Sequence, residues 1–472
     1  MKKTLILLGM VAALLVSCKD KNHNDDNGEK AREQARLDSL NANKKVDNFL
    51  YDIMSDYYLW SSNMPRMKKD ESRYPGDFFE SLLYRTKDVW SYCVEDGESY
   101  MAEDAGTPYS MGYSPQFWPY NYNKITKKYE NVLIVVEFAY PGSPADRAGL
   151  KRGDIIIEID GEPMTPDNYY DLYSKEHATY ALAGYDPEKN QLFLNGRKIS
   201  MQAEIVEADP SIYDTIINVG GKPVGYFVYT SFTRNSAYYA TIDAAFDRFK
   251  AAGVKDLILD LRYNGGGDIE AAGYLASAIA PANVVGKEVL IRYEYNSILT
   301  NYYKKNSPED LEVKFPKNDH NADMQNLYVI GTYGTASASE LVTTGLMPYM
   351  NVTLVGDTTY GKCTGMFVFY GGYKGLEDLG NWVFMPVCMK YANANGFTDF
   401  VDGLIPDYRV DDDLLAGHQL GDVNEPMLAT ALDVAAGLPL TAKAAQIKPF
   451  KVLDRNHSVL KNNLIVHPKM MK

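Results

Sequence analysis

The 472-residue chain exceeds what one compact core holds and predicts two or three domains, and its 46% hydrophobic and 23% charged residues are those of a globular protein. A formal net charge of −14 without a basic stripe excludes nucleic-acid binding, which needs clustered Lys and Arg on phosphate. The six histidines are scattered, with no ligand spacing to one another or to the cysteines, so neither a metal site nor a cofactor is expected.

The chain opens on two lysines and an apolar run over residues 5–16, too short to span a bilayer comfortably, then Ser17 and Cys18. This reads as an export signal over residues 1–17. Residues 18–45 are polar and nearly free of large apolar side chains, a composition expected to form a flexible tether. Apolar residues at helical spacing follow (Val46, Phe49, Leu50 and Ile53, then Phe78, Phe79, Leu82 and Leu83), predicting a small helical N-terminal domain over residues 46–104.

Residues 105–207 read differently. A strand over 131–138 precedes a short helix opened by Pro144 and ended by Gly149. A second strand, 155–159, closes at the Asp160-Gly161 turn. From residue 208 to 440 strands alternate with helices: strands over 224–230, 256–260, 326–332 and 351–355, and a helix with Ile242, Phe246 and Phe249 on one face that Gly253 ends. Such alternation predicts an α/β domain with a largely parallel sheet, its ligands at the carboxyl ends of the strands. Residues 441–472 form a C-terminal tail. Cys93, Cys363 and Cys388 allow at most one disulfide, for which Cys363 and Cys388 are the favoured pair.

Three loops at those strand ends carry candidate chemistry. "LDLRYNGGGD" (259–268) offers exposed backbone N–H groups, "GTASASE" (334–340) hydroxyls at a helix start, and "GDTTYGKCTG" (356–365) a lysine between Gly361 and Cys363. An acyl-transfer enzyme needs an anion-stabilising hole, a nucleophile and a base. A lysine base must be neutral at working pH, which burial in an apolar pocket achieves, and no carboxylate follows Lys362 before Glu377.

With these motifs in view, the chain resembles the carboxyl-terminal processing peptidases, or tail-specific serine proteases, from residue 141 to 410. The resemblance rests on the Asp-Leu-Arg-x-Asn-x-Gly-Gly loop from Asp260, the Ser-Ala-Ser-Glu from Ser337 and the Val-Gly-x-x-Thr-x-Gly-Lys ending at Lys362, 25 positions after that serine. It implies a multidomain α/β fold: a helical N-terminal region, a PDZ-like β-rich domain and a crotonase-like catalytic domain. It also implies Ser337 as nucleophile, Lys362 as base, and the N–H groups of Ala338 and Gly266 as oxyanion donors. Family members with a Ser-Lys-Gln arrangement carry glutamine where this chain has Met366, which cannot orient an ammonium as an amide does. Thr364 or Ser339 is then expected to orient the lysine, although Ser339 also reads as a helix cap. "PGSPADRAGLKRGDIIIEIDGEPM" (141–164) resembles protease-associated PDZ domains, which implies that Met111, Gly112 and Tyr113 hold the carboxylate of a peptide tail. Pro115 and Pro119 depart from a clean strand beside that loop. "LVSC" resembles a lipobox, implying lipidation of Cys18 and attachment to the bacterial cell envelope. The function implied is a serine endopeptidase acting on polypeptides with free C-terminal tails. The alternative is a catalytically weak or inactive peptide-binding lipoprotein.

Overall fold

The computed structural model describes residues 26–66, 72–439 apart from 187, 190 and 413, and 465–466. Residues 1–25, with the expected export signal and Cys18, lie outside them. Among the described residues no helix is long and apolar enough to cross a membrane.

The catalytic-domain prediction of a largely parallel sheet matches what is seen. Its strands run in the order Ser211–Val219, Lys222–Tyr229, Asp256–Asp260, Asn326–Gly331, Asn351–Gly356 and Tyr408–Arg409, antiparallel only at the first pair. Period-2 alternation splits the strand side chains between two cores. Phe227, Leu257, Leu259 and Leu327 pack with Ile242, Phe246, Phe249 and Leu275 of the helices on one face. Val224, Tyr226, Ile258 and Val355 pack with Met427, Leu428 and Ala431 on the other.

The PDZ region is a sheet in the order Tyr113–Asn123, Lys128–Ala139, Ile155–Ile159, His177–Asp186, Gln191–Gln202. Its turn chemistry follows the residues. Ser143 caps the helix Pro144–Arg147, accepting the Asp146 N–H at 3.2 Å, and Asp160 and Gly161 both hold positive φ (55° and 76°) in the tight hairpin. Pro115 and Pro119 are accommodated because Tyr113–Asn123 is the outermost strand. They lie opposite Val136 and Val132, whose own N–H groups point away from that strand, so the missing proline donors cost no ladder bond.

One expectation is corrected. Asp26–Tyr57 is one 32-residue helix, so residues 26–45 are helical and not a flexible tether. Low hydrophobicity was outweighed by strong helix formers, by side-chain pairs at helical spacing (Arg36 to Glu33, Gln34 to Asp38) and by the Lys45 ion pair to Asp378 at 2.6 Å. The N-terminal helices share a core with the rest of the chain. Leu50, Ile53, Met54, Phe78 and Phe79 share one cluster with Leu299, Phe367, Phe369 and Phe384. They pack onto a second sheet, ordered Glu312–Lys314, Val289–Tyr295, Val387–Asn393, Thr364–Phe367, Ile465–Val466, and onto a smaller one containing Tyr92–Val94 and Val383–Met385.

The PDZ region docks through buried charge. Arg152 pairs with Asp412 at 2.5 Å, and Asp412 also accepts from Tyr263 Oη (2.6 Å) and pairs with Arg262 (3.1 Å); Arg262 in turn pairs with Asp260 (2.8 Å) and Glu425 (2.9 Å). Every cation in this network is matched, as burial requires. The network ends on the glycine loop that Arg262 and Tyr263 begin.

Candidate active site

Ser337 sits where the strand Asn326–Gly331 turns into the helix Ala338–Leu346, at φ 57° and ψ −110°. A non-glycine residue pays for positive φ, and such strain persists only where the surroundings over-determine it. They do so here. Glu340, fully buried, accepts the Ser337 N–H (2.8 Å) and the Lys362 N–H (2.8 Å) on one oxygen, and the Gly361 N–H (2.7 Å) and the Thr359 hydroxyl (2.5 Å) on the other. From the opposite side the Tyr391 hydroxyl lies 3.1 Å from both the Ser337 and the Lys362 carbonyl oxygens. The backbones of the two candidate catalytic residues are thus clamped together twice. Gly361 is required in the turn between them: at φ 95°, a Cβ there would stand 2.5 Å from the Val401 carbonyl oxygen.

Lys362 is wholly buried, and burial takes its ammonium well below the ordinary lysine range against the opposing pull of Asp88 and Glu340. The expectation of an acid-free surrounding is therefore corrected. Two carboxylates from distant parts of the chain act on it, and desolvation outweighs both. Asp88 is held by Tyr58 Oη (2.8 Å), Ser91 Oγ (2.5 Å) and the N–H groups of Trp90 and Ser91. Ser91 Oγ also accepts the Val387 N–H at 2.8 Å, tying this N-terminal turn to the second sheet.

Neither expected orienting residue directs its hydroxyl to Lys362. Ser339 donates its hydroxyl to the Asn264 carbonyl (2.9 Å), and the Thr364 hydroxyl is buried without a hydrogen-bond partner. Ser339 is not the helix cap either: Ser337 is the N-cap, with Glu340 three residues on. Instead Lys362 Nζ stands 3.6 Å from Met366 Sδ, so the thioether, a weak acceptor, occupies the glutamine's place.

The glycine loop reaches Ser337. A Cβ on Gly266, at φ 111°, would lie 2.9 Å from Ser337 Cβ and 3.0 Å from the Ala338 nitrogen, so only glycine permits this approach. Ala338 is the first residue of its helix, and its N–H has no intrahelical acceptor. The Gly266 N–H, by contrast, donates to Asn264 Oδ1 at 2.9 Å and must leave that bond to serve an oxyanion. Asn264 organises the loop: its Nδ2 donates to the Tyr229 carbonyl (2.9 Å), and its own carbonyl accepts from the Ala336 N–H (3.1 Å) as well as from Ser339.

Cys93, Cys363 and Cys388 are all free, which corrects the expected Cys363–Cys388 pairing. Thr364 faces Lys390 across the ladder, and the Tyr391 N–H donates to the Cys363 carbonyl. Cys388 is therefore three positions off register, about 10 Å along a strand and beyond disulfide reach.

In the PDZ region the Met111 and Gly112 carbonyls accept from Ala145, Tyr140 and Ser143, and the Gly112 N–H is bound to Ser110 Oγ at 3.2 Å. The rings of Tyr113 and Phe117 pack edge-on against Tyr173 of the facing helix, and Phe117 also against Tyr169.

Glu340, Asn264, Tyr391 and Asp88 were missed in the sequence reading. Two had a readable signal: Asn264 stands in the Asp-Leu-Arg-x-Asn-x-Gly-Gly motif, and Ser337-x-x-Glu340 is a capping-box spacing.

Comparison with known proteins gives the family of the chain. The family described as "Peptidase family S41" matches residues 223–410, "PDZ domain" matches 135–178 and "Peptidase S41 N-terminal domain" matches 45–92. The chain is 26% identical over 374 residues to the carboxy-terminal processing protease CtpA of Bacillus subtilis, covering 77% of this chain and 69% of that protein. It is 25% identical over 303 residues to a carboxyl-terminal-processing protease of Synechocystis, covering 63% of each. The crystal structure of an S41-type protein from Bacteroides fragilis shares the fold, with a TM-score of 0.67 at 24% identity over 82% of this chain and 97% of that one.

Proposed function

The chain belongs to peptidase family S41, a family of serine peptidases, and we propose that it is an active endopeptidase that selects polypeptides by their C-terminal tails and cleaves through a Ser-Lys acyl-enzyme mechanism. The observation that carries this reading is the double clamp that holds Ser337 and the buried, charge-disfavoured Lys362 backbone to backbone. Neutral Lys362 takes the Ser337 proton as Oγ bonds to the scissile carbonyl carbon. The oxyanion receives the Ala338 N–H and that of Gly266 once released from Asn264. The lysine ammonium then protonates the leaving amine, and water, deprotonated by the same lysine, frees the acyl group.

A fluorophosphonate probe tests the nucleophile: an adduct located by mass spectrometry on Ser337, and lost in Ser337→Ala, is expected. If instead the intact chain binds tailed peptides yet forms no adduct and cleaves nothing across a peptide library, it is a peptide-binding protein on a protease frame.

The PDZ region is the tail selector in this reading, with Met111, Gly112 and Tyr113 at the carboxylate end of the groove. Peptides with a free carboxyl terminus are expected to bind more tightly than their amidated forms by about tenfold, since a charge-assisted bond to backbone amides adds about 1.5 kcal/mol or more. Equal affinities by calorimetry count against tail selection. We further infer export and lipid attachment at Cys18 to the bacterial cell envelope; an unmodified Cys18 in the N-terminal peptide of the mature protein excludes it.

A further inference from the structure

We propose that the outer edge of the strand Thr364–Phe367 is a strand-accepting site for this chain's own segment after residue 440, and that docking there holds Met366 against Lys362. On one side Thr364–Phe367 pairs antiparallel with Val387–Asn393; on the other Ile465–Val466 runs parallel to it, Met366 opposite Ile465 and Phe367 opposite Val466. Without that pair Thr364–Phe367 is a bare edge of the sheet, two residues past Lys362. Met366, the ladder partner of Ile465, is also the residue whose sulfur lies 3.6 Å from the lysine nitrogen, and it is fully buried. A strand that fixes the Met366 backbone therefore fixes the thioether the base rests on.

Charge identifies the occupant. Residues 441–472 carry seven Lys and Arg against one Asp, net +6, in a chain of −14, so the rest of the molecule stands at −20. Phe367, opposite Val466, lines a cavity of about 500 Å³ whose charged wall residues, Glu270, Asp310, Glu312 and Lys314, leave it net acidic. A basic apolar segment is matched to that surface. Reach is no obstacle: the helix Pro426–Ala436 ends at Gly437, and the 26 steps from 439 to 465 span up to about 85 Å when extended.

Because catalysis by Lys362 is itself the reading proposed above, the test needs a readout independent of activity. Two variants are compared with the full chain: deletion of residues 441–472, and Val466→Pro in the full chain. Hydrogen exchange of the amides over 365–367 is expected to accelerate at least about tenfold in both, as for an exposed strand edge. If the chain is active, kcat falls about tenfold with KM within about twofold, the signature of a displaced base. A synthetic 458–472 peptide added to the deletion variant restores both readings, less well at high salt, while a scrambled peptide of the same composition restores neither. Unchanged exchange over 365–367 overturns the docking. Accelerated exchange with unchanged or raised kcat overturns the support of Lys362. A full chain that cleaves nothing refutes the peptidase reading, and the exchange measurement still decides the docking.

Discussion

Lys362→Ala and Lys362→Arg are each expected to lower turnover of a tailed substrate by on the order of 10⁴-fold, the scale seen when one member of a nucleophile-base unit is removed. Arginine does not rescue because guanidinium keeps its proton at any working pH, and a fully buried site has no room to let it out. In the wild type, kcat/KM is expected to rise with pH, since a lysine base acts only after losing its own proton. The midpoint of that rise lies well below the ordinary lysine value because burial disfavours the ammonium. The neighbours set its position with a definite sign. Asp88 favours the charged form, so Asp88→Asn moves the midpoint to lower pH. Met366→Gln places a stronger acceptor beside Nζ, favours the ammonium and moves the midpoint to higher pH, while raising kcat above the midpoint by up to about tenfold if the new bond is worth about 1.4 kcal/mol in the transition state. A midpoint unmoved by either substitution, or turnover that survives Lys362→Ala, refutes the lysine-base mechanism.

Glu340→Ala is the second large effect, and it is one of architecture. The side chain touches no substrate, yet its removal strands four buried donors: the N–H groups of Ser337, Gly361 and Lys362 and the Thr359 hydroxyl. At about 1 to 3 kcal/mol for each unsatisfied group, the loss of stability is expected to be about 4 kcal/mol or more. Glu340→Gln separates positioning from folding, because it keeps the shape but turns one acceptor oxygen into a donor facing two N–H groups or an N–H and a hydroxyl. It is expected to fold, to lose at least about 100-fold in kcat with little change in KM, and to slow fluorophosphonate labelling of Ser337. Labelling and kcat at wild-type levels in Glu340→Gln show that the clamp is not needed for chemistry.

The sequence by itself determined whatever depends on residues close together in the chain. The strand-helix alternation of the catalytic domain, the Ser143-capped turn and the Asp160-Gly161 hairpin follow from periodicity and turn chemistry, which act over a few residues. The three loops were legible for the same reason: in a parallel sheet the carboxyl ends of adjacent strands meet, so motifs that follow successive strands converge without knowledge of contacts. Tertiary structure alone decided what the convergence contains. Glu340 turned from a cap into the joint between Ser337 and Lys362, Asp88 arrived from the N-terminal turn, and Met366 sulfur took the place expected of a hydroxyl. Strand register kept Cys363 and Cys388 apart. The N-terminal helices joined one core with the second sheet, and the Gly266 amide expected to serve an oxyanion was found bound to Asn264. Most of these join residues far apart in the chain, which no window of sequence contains together, and even the short-range ones, Met366 beside Lys362 and Asn264 on the Gly266 amide, are set by burial and register rather than by local preference.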